Sequence, residues 1–508
     1  MDLQKRTFIA VVLSIVIIII YSSWVSKFYP TVNKEVIEKS SITSSGETVA
    51  QPQTAKVAPP QKVKTQTNPP LIQYETEKVT YKFTPLGGNL ISARFKDYAY
   101  EAPALALLAI QEWQDLEFSH ELGPEEAVFR YKDANKEITK QYKFSEKGYY
   151  INFEITYNNL TSSAASCYYN FNLEFKHSPA ERYRDTVVFF NDSNLLYLNN
   201  LRNKPGFIRE LNKSIKWIGL RDKYFAYILS PISNKNELGK IEKSLDGSDI
   251  LSLHHKDEAI SAGSMQTASF LYYCGPQIDN LLVKSGVGFE YIHNFGKLDV
   301  FVKLLLKTLI NINKFVHNWG VSIIVLSVVI YLCLYPLSLK SMRSMKKMQV
   351  LQPEVEKIKQ QYKNDVQRQN KEVMELYKKH NYNPLGGCMP MLLQLPIFYA
   401  LFLALSRGIE FKGANFLWIK DLSEPDRFPI FAGKHINILP ILMIIAMFFQ
   451  QKMSMSNLPS SQSEQQKMML WMMPALFGIM FYNMPSGLVL YWVLNSSLTM
   501  VSQWKALK

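Results

Sequence analysis

The sequence predicts a polytopic α-helical membrane protein with a large extracytoplasmic all-β sandwich domain and a cytoplasmic helical hairpin. The last third of the chain holds five apolar stretches, none of which has an Asp, Glu, Lys or Arg in its interior. The region before them alternates apolar and polar side chains, and a lysine-rich stretch follows the first apolar run. A membrane-crossing helix needs about 20 residues, so with one N-terminal run we expect six transmembrane helices. The five runs that form the core are Val321–Leu339, Pro384–Ser406, Ile436–Gln451, Met468–Met484 and Gly487–Gln503.

The N-terminal apolar run, Phe8 to Trp24, follows the basic residues Lys5 and Arg6. A cleaved signal peptide usually has a shorter apolar region and a small-residue cleavage site after it. We therefore interpret residues 1–29 as a transmembrane anchor, with a signal peptide as the alternative. Residues 30–70 are rich in Pro, Ser, Thr, Gln and Lys, a composition that predicts a disordered linker.

Residues 71–295 are predicted to form the β-sandwich. Apolar and polar side chains alternate there, which is typical of half-buried antiparallel strands, and many short strands in one region favour a sandwich. The turn Leu86–Asn89 contains two adjacent glycines. The clearest predicted strands are Val79–Phe83, Tyr149–Tyr157, Tyr168–Phe175 and Thr186–Phe190.

Residues 296–319 are predicted to form an amphipathic helix at the membrane interface. From Leu298 to Val316 the apolar residues share one helical face, while the lysines lie elsewhere. Such helices lie in the plane of the interface. The alternative is an ordinary helix packed on the β-domain.

The core, residues 320–508, includes a predicted helical hairpin at 340–383. Apolar residues recur at alternating spacings of three and four from Met348 to Tyr362, which indicates a coiled-coil-like seam. Asn364 and Asp365 break the pattern, and a second helix follows from about Gln367 to His380. The excess of Lys and Arg places the hairpin in the cytoplasm by the positive-inside rule, and six spans then place both termini there.

Several function classes are disfavoured by what the sequence lacks. The net charge is +14, but the basic residues do not form one aromatic-rich module, so we expect anionic lipid rather than nucleic acid as the specific partner. There is no P-loop, catalytic constellation or zinc-type spacing of Cys and His. We therefore expect no enzymatic activity, cofactor or metal. A disulfide between Cys167 and Cys274 is possible if the β-domain is extracytoplasmic, with unpaired thiols as the alternative.

The apolar runs contain polar but uncharged residues. Coupled transporters usually carry an ionisable group within the membrane, so this pattern argues against coupled transport. For any one such residue the simple interpretation is a hydrogen bond between helices, worth about 0.6 kcal/mol. Because several runs contribute, we favour a wet polar concavity within the bilayer. Its candidate lining includes Ser327, Tyr331, Gln394, Asn483 and Tyr491.

Several motifs, in order along the chain, resemble the YidC/Oxa/Alb family of membrane protein insertases. A large exported β-domain after an N-terminal anchor is similar to the Gram-negative YidC form. The motifs are Trp217 with Asp222–Phe225, Tyr273–Pro276, Tyr335–Leu337, Asn383–Pro390, Gln394–Phe398, Phe416–Ser423 and Pro485–Trp492.

The resemblance implies a five-helix insertase core in the bacterial inner membrane, with the β-domain in the periplasm. Its hydrophilic groove would be open to the cytoplasm and the lipid. Nascent membrane proteins would be inserted and folded there without nucleotide hydrolysis, alone or with the Sec translocon (SecYEG and SecDF). Membrane lipids, the ribosome and the signal recognition pathway are the other implied partners. The resemblance implies a client-binding groove lined by Ser327, Tyr331, Gln394, Pro396, Phe398, Asn483, Tyr491 and Trp492.

One position departs from the family pattern. An arginine is expected four residues before the tyrosine of the Tyr-Pro-Leu motif, where this chain has Tyr331. A tyrosine can still donate a hydrogen bond, and Lys340 and Arg343 lie two to three turns further on. The hairpin is implied to recruit or gate clients, through Met345, Lys346, Lys347, Met348 and Pro353. The alternatives are a structural assembly factor without a client path and a solute transporter.

Overall fold

A computed structural model of the chain describes residues 71–507, except 103, 146–147, 168–169, 176–184, 199–205, 233–236, 246–247, 255–257, 384–388, 431–433 and 456–463. The described residues form two compact units, divided between His293 and Asn294. The first unit is built mainly of strands and the second mainly of helices. The predicted anchor and linker lie outside the described residues.

The first unit contains twenty described strands of two to twelve residues. They are β1 (Ile72–Glu75), β2 (Val79–Thr84), β3 (Asn89–Phe95), β4 (Tyr100–Glu101), β5 (Ala104–Ile110), β6 (Ser119–Leu122), β7 (Glu126–Lys132), β8 (Lys136–Phe144), β9 (Tyr150–Asn159), β10 (Ala165–Cys167), β11 (Asn170–Phe175), β12 (Asp185–Phe190), β13 (Leu195–Leu198), β14 (Ile208–Leu211), β15 (Ile215–Arg221), β16 (Phe225–Pro231), β17 (Leu238–Lys243), β18 (Asp249–His254), β19 (Glu258–Ile260) and β20 (Met265–Pro276).

Most of these strands belong to two antiparallel sheets. Over the described residues each sheet has nine strands. The first sheet runs β1-β2-β3-β5-β11-β18-β17-β14, with β4 beside β3. The second sheet runs β13-β12-β15-β16-β20-β9-β8-β7-β6. β10 and β19 form a separate two-stranded ribbon.

Aromatic side chains from the two sheets meet in a common core. The ring of Phe83 on β2 lies 5.2 Å from that of Phe129 on β7, between ring centroids. Phe95 on β3 stacks on Phe225 of β16 at 4.5 Å. Because side chains alternate between the faces of a strand, every second residue of β2 is buried. The sheets therefore pack face to face as a β-sandwich, as the alternation in the sequence predicts.

A buried lysine ties the two sheets together. Lys140 on β8 is 0% exposed. Its Nζ donates to the carbonyl of Gly87 at 2.6 Å and to Oδ1 of Asn89 at 2.9 Å. Gly87 and Gly88 both have positive φ, 74° and 56°, as this tight turn requires. Burial lowers the pKa of Lys140 well below its usual value, because a charged ammonium is poorly solvated inside the sandwich.

Cys274 on β20 is a free thiol and fully buried. The disulfide with Cys167 that the sequence leaves open is therefore not formed, and unpaired thiols are the correct alternative at this position. Burial raises the pKa of Cys274, which keeps the thiol protonated and unreactive.

The second unit contains seven described helices longer than ten residues, together with a short hairpin of two-residue strands, β21 (Phe428–Pro429) and β22 (His435–Ile436). The helices are α1 (Asp299–Val316), α2 (Trp319–Gln361), α3 (Val366–Lys379), α4 (Met389–Arg407), α5 (Ile438–Met455), α6 (Glu464–Phe481) and α7 (Ser486–Leu507).

α2 joins two elements that the sequence analysis treats as separate. It runs from the first apolar run of the core straight into the first arm of the hairpin, with Pro336 and Pro353 inside it. The side chain of Asn318 caps its start by accepting from the amide of Val321 at 3.1 Å. α3 then turns back along α2, with Tyr377 donating to the sulfur of Met348 at 3.5 Å. The predicted hairpin is therefore present, as an extension of the apolar helix.

Among the described helices, the segment Trp319–Met348 is long and apolar enough to cross a bilayer. The apolar segments Leu392–Arg407, Ile438–Met453 and Leu470–Phe481 are shorter. Within the described residues, each of the five predicted core runs overlaps a helix, while their number as membrane spans stays a prediction. α1 buries Val302 and Leu309 in the core of the helical unit, where it packs on α2 and α4.

Replacing Lys140 should destabilise the sandwich and change its pH dependence. Lys140→Met leaves the Gly87 carbonyl and Asn89 Oδ1 without a donor, at a cost of roughly 1–3 kcal/mol. Because the folded-state pKa of Lys140 is lowered, the wild type gains stability as pH rises towards the unfolded-state value, and the variant lacks this gain. Urea unfolding of the detergent-solubilised chain, followed by near-ultraviolet circular dichroism at pH 7 and 9, measures both effects.

Lys143→Met is the matched control, since Lys143 lies on the same strand with a 48% exposed side chain. Equal unfolding midpoints for Lys140→Met and Lys143→Met would show that the buried amine does not stabilise the turn.

Candidate functional site

A polar pair joins α4 and α7 inside the helical unit. Nε2 of Gln394 donates a hydrogen bond to the hydroxyl oxygen of Tyr491. Tyr491 is only 1% exposed, so the pair lies among apolar side chains. Pro396 follows two residues after Gln394 in α4 and removes one backbone donor from that turn. Two residues that the sequence places in one groove are thus in direct contact.

Aromatic side chains form a wall beside this pair. Phe398 on α4 meets the indole of Trp492 on α7 edge-on, with 5.2 Å between ring centroids. Phe481 at the end of α6 lies 5.3 Å from each of these two rings, and Phe477 lies 5.6 Å from Trp492. Such contacts hold three helices together and present a polarisable apolar surface.

Ser327 and Tyr331 lie on α2, and the structure shows no direct hydrogen bond from either to the Gln394–Tyr491 pair. Ser327 is 1% exposed and donates to the carbonyl of Ile323 in its own helix at 2.6 Å. It therefore does not serve as a bridge between helices. The hydroxyl of Tyr331 is buried and makes no hydrogen bond of standard geometry, although Ser502 on α7 is near enough to interact with it.

Asn483 does not lie beside the Gln394–Tyr491 pair. It lies in the turn between α6 and α7 and is exposed, whereas Gln394 lies near the start of α4. Of the eight predicted groove residues, the structure thus assembles Gln394, Pro396, Phe398, Tyr491 and Trp492 around one α4–α7 contact.

The predicted hairpin residues lie on the part of α2 at and beyond the end of its apolar segment. Lys346, Lys347 and Pro353 are exposed, and Met348 is partly covered by Tyr377. Met345 lies on the same helix, and its side chain is outside the described part of the chain. Leu351 and Val355, on the apolar seam of the hairpin, are each 5% exposed. The lysines and the partly covered thioether of Met348 therefore surround a packed seam.

The segment 408–437 between α4 and α5 supplies polar residues whose role sequence reasoning missed. Asp426 is 4% exposed. Its Oδ2 accepts from the amides of Ile438 at 2.8 Å and Leu439 at 3.0 Å, and from Nε1 of Trp418 at 3.2 Å. A carboxylate at this position caps the start of α5 and interacts favourably with the positive end of the helix dipole.

The same segment also holds the start of α7. The hydroxyl of Ser486 donates to the carbonyl of Asp421 at 3.0 Å, and the amide of Gly487 donates to the carbonyl of Leu422 at 3.0 Å. Asn437 donates from Nδ2 to the carbonyl of Tyr482 at 2.6 Å. The sequence marks Asn437 and Ser486 only as residues of the kind found at helix starts, and it carries no signal for these contacts, which join residues 45 and 65 positions apart.

The assembled site is suited to binding rather than to bond making. It combines one buried amide–hydroxyl pair with an aromatic wall. Over the described residues, no group of three or more His, Cys, Asp and Glu side chains could hold a metal ion.

Two family models match this chain: the YidC periplasmic domain over residues 111–308 and the 60Kd inner membrane protein over residues 311–508. The membrane protein insertase YidC of Geotalea daltonii is 30% identical over 542 residues, covering 99% of this chain and 98% of that protein. The YidC insertase of Syntrophobacter fumaroxidans is 31% identical over 433 residues, covering 80% and 77%. A crystal structure described as an active YidC insertase with its first transmembrane domain resolved covers 87% of this chain and 93% of its own, at 18% identity and a TM-score of 0.42.

Removing the Asp426 carboxylate should loosen the start of α5. Asp426→Ala deletes the acceptor of three hydrogen bonds, and loss of a helix cap alone costs about 1 kcal/mol. We expect the amides of Ile438 and Leu439 to exchange with deuterium at least fivefold faster, measured by hydrogen exchange of the detergent-solubilised chain. Glu424→Ala is the matched control, since the Glu424 side chain is 44% exposed. Unchanged exchange in Asp426→Ala would contradict the capping role.

Proposed function

The chain belongs to the YidC family of membrane protein insertases, and we propose that it inserts and folds nascent integral membrane proteins through a hydrophilic groove lined by α2, α4 and α7. It is an inner membrane protein with a periplasmic β-rich domain. The observation that carries the proposal is the Gln394–Tyr491 hydrogen bond, since it supplies buried polar atoms where the surrounding side chains are apolar.

Such atoms lower the barrier that a client must pass. A charged side chain at the bilayer centre costs about 2.5–3.5 kcal/mol on insertion scales. Hydrogen-bonding groups at depth would solvate the polar flank of a client while it crosses. Each apolar residue of the client that then reaches lipid leaves water, which releases about 1.5–3 kcal/mol for a large side chain. Burial of the client's apolar span therefore drives the step without nucleotide hydrolysis.

The aromatic wall and the hairpin have separate roles in this proposal. Phe398 and Trp492 would contact the client's apolar part, and their rings tolerate varied sequences because they offer shape rather than hydrogen bonds. The hairpin would receive clients at the cytoplasmic mouth of the groove, where Lys346 and Lys347 are exposed and would also favour anionic lipid.

The remaining parts of the proposal concern topology and partners. Six spans, with both termini in the cytoplasm, account for the basic hairpin and the periplasmic β-domain by the positive-inside rule. We propose that the chain acts alone or with the Sec translocon, and that the ribosome and the signal recognition pathway deliver its clients to the hairpin.

Site-specific photocrosslinking tests the client path. A photoreactive residue in place of Gln394 should capture a radiolabelled nascent membrane protein during translation with inner-membrane vesicles. Leu476 on α6 is the control position, because its side chain is 55% exposed, whereas Tyr491 of the pair is 1% exposed. Capture of stable translocase subunits alone, or equal capture at both positions, would favour a structural assembly factor and refute the groove.

Tyr331 offers a test that separates activity from stability. Its hydroxyl has no hydrogen bond of standard geometry, so Tyr331→Phe should change stability by less than about 1 kcal/mol. If the groove needs a polar group there, insertion of a client with a charged flank should fall several-fold in Tyr331→Phe and be retained in Tyr331→Arg. Insertion by Tyr331→Phe at the wild-type level, in proteoliposomes, would remove Tyr331 from the site.

A further inference from the structure

The segment 408–437, between α4 and α5, carries two protrusions. The first is a tight turn, in which the amides of Phe416 and Ile419 each donate to the other residue's carbonyl at 2.9 Å. The second is the β21–β22 hairpin, where the amide of Ile430 donates to the carbonyl of Lys434 at 2.9 Å. Backbone hydrogen bonds therefore fix the shape of each protrusion, without help from the side chains at its tip.

A buried polar base joins the two protrusions. Trp418, in the turn, donates from Nε1 to Oδ2 of Asp426 at 3.2 Å. The amide of Arg427, directly before the hairpin, donates to Oδ1 of Asn437 at 3.0 Å. Asp426 and Asn437 are only 4% and 6% exposed. The turn and the hairpin thus project from one hydrogen-bonded base.

The tips present large apolar side chains to their surroundings. Leu417 is 77% exposed, Ile430 51% and Phe428 37%. Single exposed apolar residues are common on soluble proteins, but several within one short segment indicate a binding surface. Leu417 also has a φ of 52°, in the left-handed region that a leucine rarely adopts. Backbone strain of this kind is typical of residues whose presentation matters for function.

The turn lies at the level where a membrane-crossing helix begins. The ring of Phe416 packs so closely on Gly320 that a Cβ at this position would collide with it. Gly320 is the second residue of the apolar segment Trp319–Met348, which is long enough to cross a bilayer. Leu417, next to Phe416, therefore lies close to the plane at which that helix passes from water into lipid.

The hairpin lies near the ends of two more apolar helices. β22 ends at Ile436, two residues before the apolar segment of α5 begins at Ile438. Between them, Nδ2 of Asn437 donates to the carbonyl of Tyr482 at 2.6 Å, directly after the apolar segment of α6 ends at Phe481. Three apolar segments thus start or end beside the two protrusions, which places the tips at the membrane boundary of the helical unit.

The charges around the tips fit phospholipid head groups. Lys420 and Lys434 are exposed. Carboxylates of the segment are engaged within it: Oδ1 of Asp421 accepts from an amide and a hydroxyl at 2.8 and 2.7 Å, and Glu424 lies 3.9 Å from Arg427. Lysines beside exposed apolar side chains are typical of segments that bind a membrane interface, where ammonium groups are attracted by lipid phosphates.

We propose that the two protrusions insert into the bilayer surface, in the leaflet at which α4 ends and α5 begins. Leu417 and the hairpin tip at 428–430 enter the boundary between head groups and acyl chains, and Lys420 and Lys434 lie at the level of the phosphates. The segment thereby anchors the ends of the helices that it contacts at one depth in the membrane. This anchor rests on the membrane location of the helical unit and not on the proposed client groove.

Lipid crosslinking tests the proposal with the full chain in inner-membrane vesicles. A diazirine-bearing amino acid replaces Leu417 or Ile430, and after irradiation the purified chain is analysed by intact mass spectrometry. We expect an added mass of one phospholipid at either position. Ile445, 47% exposed on α5, is the positive control. Leu245 is the matched negative control, since its 85% exposed side chain lies between β17 and β18 of the first unit.

The lipid yield at position 245 should be about tenfold lower, because water rather than acyl chains surrounds a side chain outside the interface. Charge reversal tests the lysines. Lys420→Glu combined with Lys434→Glu should lower the lipid yield at position 417 about fivefold, because carboxylates are repelled by lipid phosphates. Lys143→Glu, on the first unit, should leave that yield unchanged. Circular dichroism of each variant checks that the helices are intact.

A lipid yield at positions 417 and 430 no higher than at position 245 would overturn the proposal. Capture of a second copy of this chain, or of another protein, in place of lipid would also overturn it, because the protrusions would then form a protein interface. Equal yields from the wild type and the double lysine variant would refute the contact between the lysines and the phosphates. Client crosslinking at position 394 reports on the membrane groove independently of these results.

Discussion

A polar side chain among apolar helices must find its partner within the protein, because lipid offers none. Gln394 and Tyr491 meet this requirement for each other. The pairing also sets how α4 and α7 face one another, since Phe398 lies one turn after Gln394, Trp492 directly follows Tyr491, and the two rings are in contact. Ser327 meets the same requirement differently, by bonding to its own helix, and the Tyr331 hydroxyl lies near Ser502 without a hydrogen bond of standard geometry. A membrane protein that keeps such a hydroxyl buried retains a polar group with spare hydrogen-bonding capacity in its interior.

The segment 408–437 shows how the opposite end of this arrangement is made rigid. Asp426 holds the start of α5, and the backbone around Asp421 holds the start of α7. Helix ends leave backbone groups unpaired, so a connecting segment that pairs them fixes the spacing of the helix ends that it contacts. The assembly is therefore firm at this end, while its other end continues into exposed helices α2 and α3.

Much of the fold could be predicted from the sequence because the relevant signals are local. Alternation in β2 and apolar runs in α4–α7 are properties of neighbouring residues. Family motifs identified Gln394 and Tyr491, but their hydrogen bond joins residues 97 positions apart and could not be predicted from spacing. The sequence analysis separated the apolar run from the hairpin because the residues change from apolar to basic near Lys340. That change indicates a different solvent around the side chains. It does not interrupt the backbone hydrogen bonds on which helix formation depends, so the continuity of α2 was missed. The pairing of β11 with β5 shifts register around Glu174, which side-chain alternation does not reveal.

The unbroken α2 has a mechanical consequence. From Pro336 to Gln361 it extends about 37 Å, at 1.5 Å per residue. A rod of that length acts as a lever: a tilt of about 10° at Pro336 would swing its tip by roughly 6 Å. Pro336 and Pro353 each remove a backbone donor inside this helix, so bending concentrates at these two points. Force applied to the hairpin by a docking particle would therefore turn the lever about Pro336, five residues beyond Tyr331.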